Sequence, residues 1–154
     1  MKYSHLMYLT LISVLTMGVS FYDKDDDIVC IKSNDEMKKI RIKINGSTRT
    51  FTATLLDDNT AKAFEKMLPL TIKMTELNGN EKYGDLQNSL PTNPSIPKTI
   101  TNGDLMLYGS KTLVIFYKTF TTSYSYTKLG QTDDAAVLAS ALGTRDTVVT
   151  FEIE

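Results

Sequence analysis

Between Lys39 and Leu55 the chain alternates so regularly that few folds remain open to it. Ile40, Ile42 and Ile44 are separated by Arg41 and Lys43. That period of two puts apolar side chains on one face of a strand and charges on the other. Asn45-Gly46 follows, a pair that tolerates positive φ and favours a hairpin. On the return run, Thr50 to Leu55, Phe51, Ala53 and Leu55 share one face and threonines the other. Such a hairpin needs a sheet and a core to complete it. A chain of 154 residues, 42% hydrophobic and 23% charged, is long enough to supply both within one domain.

Downstream, the same signals recur. Asp57, Asp58 or Asn59 can cap a short helix in which Ala61, Phe64 and Leu68 recur at helical spacing, and Pro69 ends it. Leu70 to Met74 reads as a strand with Leu70, Ile72 and Met74 inward. Residues 77–98, which hold three of the four prolines, read as one long connection, a feature more often functional than merely connecting. Gly103-Asp104 and Gly109-Ser110 bracket a strand at 105–108. The run 112–117 is apolar on both faces and reads as a central, doubly covered strand. Thr121 to Leu129 alternates tyrosines with small hydroxylic residues and reads as a further strand. A second helix is expected from Thr132-Asp133-Asp134, where the helix dipole favours the carboxylates; it carries Ala136, Val137 and Leu142, with Gly143 as its C-terminal cap. Thr147 to Ile153 is the last strand. Seven or so strands with two short helices close most simply as a mainly β barrel with helices over its open ends.

The N-terminal part has a different character. Leu6 to Tyr22 carries no charge and reads as the apolar region of a signal peptide, with Gly18 and Ser20 as the small residues before a cleavage site. Residues 1–20 are therefore expected to be a signal peptide, or an N-terminal anchor if retained. Residues 21–38 read as a polar linker and 39–154 as the domain. The expected destination is outside the cytoplasm: periplasm, cell surface or medium. Contact with a membrane is expected only if the N-terminal segment is retained. Asp23, Asp25 and Asp27 imitate the start of a calcium loop, but Ile28 stands where glycine is required and Asn34 where the bidentate glutamate belongs. The single cysteine, Cys30, excludes an intramolecular disulfide and is preceded by charges that do not suit lipidation.

The residue inventory excludes much chemistry. The one histidine is His5, within the expected signal segment. Without it there is no serine–histidine or cysteine–histidine nucleophile and no sensible zinc or copper site. No phosphate-binding glycine loop is present, and a net charge of −1 gives no footprint for nucleic acid. No catalytic residue, metal or cofactor is expected. Arg41, Arg49 and Arg145 read as solvated charges. What remains is aromatic. Tyr83, Tyr108, Tyr117, Tyr124 and Tyr126 fall within one stretch, and Ser123, Ser125 and Thr127 alternate with the last two. Rings offer contact area and phenols orient a ligand. Tyr83, Tyr117, Thr121, Tyr124, Ser125 and Tyr126 are thus the candidate ligand-binding residues, against the plainer reading in which strand-end tyrosines only close a barrel.

Three blocks, NTAKAF at 59–64, LNGNEKY at 77–83 and YSYTKLG at 124–130, resemble signature blocks of a bacterial family of cyclophilin-like domains. The resemblance covers about residues 39–153. It implies a closed cyclophilin-like barrel of about eight strands capped by two short helices. Cyclophilins proper are peptidyl-prolyl isomerases that carry a Phe-His-Arg run after the first helix. The corresponding stretch here, Leu70 to Glu76, has neither histidine nor arginine, and the ammonium of Lys73 does not reproduce a guanidinium fork. The expectation is an exported domain that binds a small molecule or peptide without efficient isomerase activity; the alternative is a residual prolyl isomerase.

Overall fold

A computed structural model describes residues 37–154. The expected signal segment 1–20, all of the linker but its last two residues, the calcium-like spacing and Cys30 lie outside the described residues. In chain order the elements are β1 Lys39–Ile44, β2 Thr50–Leu55, α1 Asn59–Glu65, β3 Leu70–Leu77, β4 Glu81–Asp85, β5 Thr99–Ile100, β6 Asp104–Tyr108, β7 Thr112–Phe116, β8 Phe120–Thr121, β9 Thr127–Thr132, α2 Ala135–Leu142 and β10 Thr147–Ile153. Eight strands close an antiparallel barrel in the order β1-β10-β3-β4-β7-β6-β9-β2, and β5 and β8 form a separate two-stranded sheet. Closure leaves the barrel without an unpaired edge.

The alternation of β1 and β2 does what its period requires. Ile40, Ile42, Ile44, Phe51, Ala53 and Leu55 are all buried in the main core cluster. Both helices feed the same cluster and cap the barrel: α1 through Ala61 and Phe64, α2 through Leu138 and Leu142. Phe64 meets Phe151 of β10 edge-on, with ring centroids 5.8 Å apart. Each large apolar side chain buried in this way contributes roughly 1.5–3 kcal/mol. Asp58 caps α1, its Oδ1 accepting the Ala61 N–H at 2.8 Å. At α2 the expected start holds: Asp134 is the cap residue, although its side chain makes no capping bond. Asp133 is held by the sheet instead, accepting from Thr54 at 2.9 Å, Thr52 at 3.0 Å and Lys39 at 3.2 Å.

Two segments differ from the sequence expectation. Residues 77–98 are not one long connection. β3 runs on to Leu77, turns through Asn78 and Gly79 at φ 55° and 64°, and returns as β4. Positive φ at two successive residues gives a tight turn whose twist matches that of its strands, closed by the Asn80 N–H donating to the Leu77 carbonyl at 3.2 Å within a three-residue connection. Only residues 86–98 connect irregularly, and Leu86 and Leu90 anchor them in the core. Nor is Thr121 to Leu129 one strand. Phe120–Thr121 pairs with Thr99–Ile100, whereas β9 pairs with β2 and β6 in the barrel. The chain must change direction between the two partners. It does so where Thr122 Oγ1 accepts the Tyr124 N–H at 3.1 Å, a local bond that competes with strand pairing.

The doubly covered strand is β7. Leu113 and Ile115 join the barrel core, while Val114 and Phe116 face the other way, into a second cluster with Ile100, Met106 and Tyr126. That second cluster lies on the outer side of the barrel and positions the site.

Candidate functional site

β4 has two faces of opposite character. Glu81, Tyr83 and Asp85 alternate outward, opposite Phe116, Val114 and Thr112 of β7. Lys82 and Gly84 alternate inward. The outward face floors a cleft of about 620 Å³, a volume in the range of small-molecule sites. Tyr108 from the end of β6 and residues 120–124 with Tyr126 form its walls, and Leu77, Asn78 and Asn80 from the β3–β4 turn close one side.

The walls are lined by a chain of aromatic contacts. Tyr124 meets Tyr108 edge-on at 6.3 Å, Tyr108 meets Tyr126 at 5.7 Å, Tyr126 meets Phe116 at 5.4 Å and Phe116 meets Phe120 at 5.7 Å. The inner members are buried, but Tyr108 and Tyr124 are 48% and 62% exposed. Two large rings are thus left in water on the rim of a concave surface. Tyr126 is fixed on its backbone side by Ser95, the two residues exchanging N–H to carbonyl bonds at 2.9 Å. Burial, and next the charge of Glu81, push its phenol above the ordinary tyrosine value.

Among the candidate residues, the fold brings Tyr83, Thr121, Tyr124 and Tyr126 to the cleft. Two others are not part of it. Ser125 is exposed and does not line the cleft, because the turn at Thr122 to Tyr124 breaks the expected alternation. Tyr117, 6% exposed, belongs to the barrel core. Its hydroxyl donates to both carboxylate oxygens of Glu76 at 2.7 Å. The expected patch of Tyr83, Tyr117, Tyr124 and Tyr126 therefore lacks one ring. Arg41 and Arg145 are exposed, Arg49 reaches Asp134 at 3.6 Å, and none of the three lines the cleft.

Glu81, Asp85, Tyr108 and Phe120 were absent from the candidates. A signal for the first two existed in the Asn78-Gly79 pair. Had it been read as a turn, the outward alternation Glu81, Tyr83, Asp85 would have followed.

On the inner face, Lys82 is fully buried. Its ammonium pairs with Glu76, donates to the carbonyls of Gly143 at 2.9 Å and Arg145 at 2.8 Å, and lies 5.5 Å from the centre of the Tyr117 ring. Burial alone would raise the Glu76 carboxyl. The hydrogen bonds from Lys82 and Tyr117 and the charge of Lys82 outweigh it and hold the carboxyl below its ordinary value. Tyr117 is pushed well above the ordinary phenol value by burial, then by its bond to Glu76. This cluster ties the start of β4 to the loop after α2. Among the described residues no group of three or more histidine, cysteine, aspartate or glutamate side chains is placed to hold a metal ion.

An antiparallel eight-stranded barrel with two capping helices and a cleft on one outer wall defines the class of the molecule. Residues 42–154 match the sequence profile of the cyclophilin-like family, and the chain belongs to that family. No curated protein matches it. Among solved structures it is similar to McbB in complex with tryptophan, at a TM-score of 0.60 and 12% identity over 75% of this chain and 44% of that one. This chain thus spans under half the length of McbB. It is also similar to the hypothetical protein AF2241 from Archaeoglobus fulgidus, at a TM-score of 0.59 and 16% identity over 77% of this chain and 95% of that one. At these identities the likeness is one of fold.

Proposed function

We propose that the protein is a binding module that takes a small molecule or a short peptide segment in the outer cleft, with no efficient isomerase activity. The observation that carries this reading is the exposure of Tyr108 and Tyr124 on the rim of a cleft whose floor is already packed. Buried rings beneath them hold the exposed pair in place without any ligand, and a preorganised site of this kind gives up little freedom on binding. The cleft wall supplies no histidine or arginine to polarise a twisting amide, which favours binding over isomerisation.

A coupled isomerisation assay with a proline-containing peptide separates the two. The expected result is no acceleration over the uncatalysed rate. A robust rate that disappears on substitution of Tyr126 or Tyr83 would replace the binding reading with the enzymatic one. Export belongs to the same proposal, supported by the uncharged run from Leu6 to Tyr22. Mass spectrometry of the N-terminus of the protein from its native cell tests it, with a start at residue 21 expected.

A further inference from the structure

The charges around the cleft are all of one sign. Glu81 and Asp85 line it, and no lysine, arginine or histidine does. The two acids stand four residues apart on β4 with Tyr83 midway between them, all on the outward face. Asp85 is oriented by Thr112, whose hydroxyl donates to its Oδ1 at 2.7 Å. Glu81 is half-buried and, among the described residues, no side chain forms an ion pair or hydrogen bond with it. Lys118, whose Nζ lies 3.8 Å from where a side chain at Gly79 would begin, makes no ion pair with either acid. A half-buried carboxylate without a partner is a costly feature unless something of opposite charge completes it. Tyr108, Tyr124 and Tyr126 line the same cleft, and aromatic ring faces carry the negative side of the quadrupole and attract cations. Asn80, on the side closed by the β3–β4 turn, has a buried Oδ1 with no hydrogen-bond partner.

Resting on the binding reading above, we infer that the ligand is a small organic ammonium ion carrying an aromatic or apolar body, with the ammonium at Glu81, Asp85 adding to the negative charge of the floor, and the body against Tyr108 and Tyr124. The components require one another. Acids alone would bind solvated cations without selectivity, and rings alone would accept any apolar molecule. Together they select a charge attached to an apolar stem. Anions meet two like charges and are excluded. The volume of the cleft, about 620 Å³, admits a single ring with a short side chain and leaves room for water around the acids.

The experiment is titration calorimetry on the full chain at neutral pH with three probes of similar shape: 2-phenylethylammonium, 2-phenylethanol and 3-phenylpropanoate. The ammonium is expected to bind at least about tenfold more tightly than the alcohol, with the carboxylate weakest, a preference of the size expected for a desolvated cation among rings and acids. Glu81→Gln and Asp85→Asn are each expected to reduce the preference for the ammonium over the alcohol, Glu81→Gln the more strongly. Tyr124→Ala is expected to weaken both probes. If ammonium and alcohol bind equally, and both depend on Tyr124, charge selection is overturned and the binding reading stands. If no probe shows binding that depends on Tyr124, both fall together. Tighter binding of Nα-acetyl-lysine amide than of 2-phenylethylammonium would overturn the small-amine assignment in favour of a peptide side chain.

Discussion

Glu76 and Lys82 face each other across the β3–β4 hairpin and form an ion pair whose ammonium is sealed inside the barrel. The pair is complete. Glu76 also accepts from Tyr117 and from the Gly79 N–H at 2.8 Å, and Lys82 spends its remaining protons on two carbonyls of the loop after α2. A buried ion pair of this kind is weak evidence of net stabilisation, yet breaking it from one side is costly, because the other charge stays behind.

Lys82→Met is therefore expected to destabilise the fold by about 3–5 kcal/mol. The double variant Lys82→Met with Glu76→Gln should recover part of that loss, since the stranded carboxylate is gone. Urea denaturation of the wild type, the two single variants and the double variant measures the coupling. Equal losses in Lys82→Met and in the double variant would show that the charge left on Glu76 is harmless.

The acids respond to pH in opposite senses. Burial opposes the lowering of Glu76 and Asp133, but hydrogen bonds from their partners prevail. Their stabilisation is present above the ordinary carboxylate range and is lost as pH falls through their depressed folded values. Glu81 is raised, first by burial and then by the charge of Glu76. Its contribution is present below the unfolded carboxylate value and is lost as pH rises through the raised folded value. Glu81→Gln should accordingly raise the melting temperature at neutral pH and leave it unchanged in acid below the carboxylate range. A thermal unfolding series across pH decides this.

Gly130 marks a close approach of two strands. A Cβ there would lie 2.3 Å from the carbonyl oxygen of Thr54 and 3.0 Å from the Leu55 Cα, both backbone atoms that have little room to move. Gly130→Ala should cost about 3 kcal/mol, in the upper range for overpacking, through separation of β2 from β9. Chemical denaturation measures the cost, and a loss below about 0.5 kcal/mol would mean that the strands part freely.

The tyrosines should divide into rim and frame. Tyr124→Ala, at a residue 62% exposed, is expected to change stability by no more than about 0.5 kcal/mol while weakening ligand binding. Tyr126→Ala removes a ring from the second cluster and should cost about 3–5 kcal/mol. Tyr117→Phe loses a hydrogen bond to a charged group, worth roughly 1.5–3 kcal/mol, and should leave binding unchanged. Parallel denaturation and titration of the three variants tests the division.

The fold was largely legible because its strongest signals are local. The alternation in β1 and β2, a cap among Asp57, Asp58 and Asn59 at the start of α1, and the two-sided burial of β7 each follow from a few neighbouring residues. Legibility failed where pairing partners decide. Nothing within Thr121 to Leu129 says that its first residue pairs with Thr99 and its seventh with Leu107. β4 was overlooked for a different reason. Its sequence, EKYGD, has no apolar alternation, because the inward position that an isoleucine would normally fill holds Lys82. A strand whose buried residue is an ammonium disguises itself as a loop. The site suffered accordingly: Tyr124 and Tyr126 were visible as aromatic residues, but the acids beneath them belonged to a strand that the hydrophobic pattern does not reveal.

The tight bend at Asn78-Gly79 also sets the parity of everything after it on β4. Inserting or deleting one residue there would rotate the strand by half a turn, turning two carboxylates and a tyrosine into the barrel and expelling the ammonium of Lys82 to solvent. The length of that bend is thus the one dimension of the hairpin that cannot be retuned alone. The irregular stretch at 86–98, none of which lines the cleft, can by contrast accept extra residues at its exposed positions without disturbing that parity.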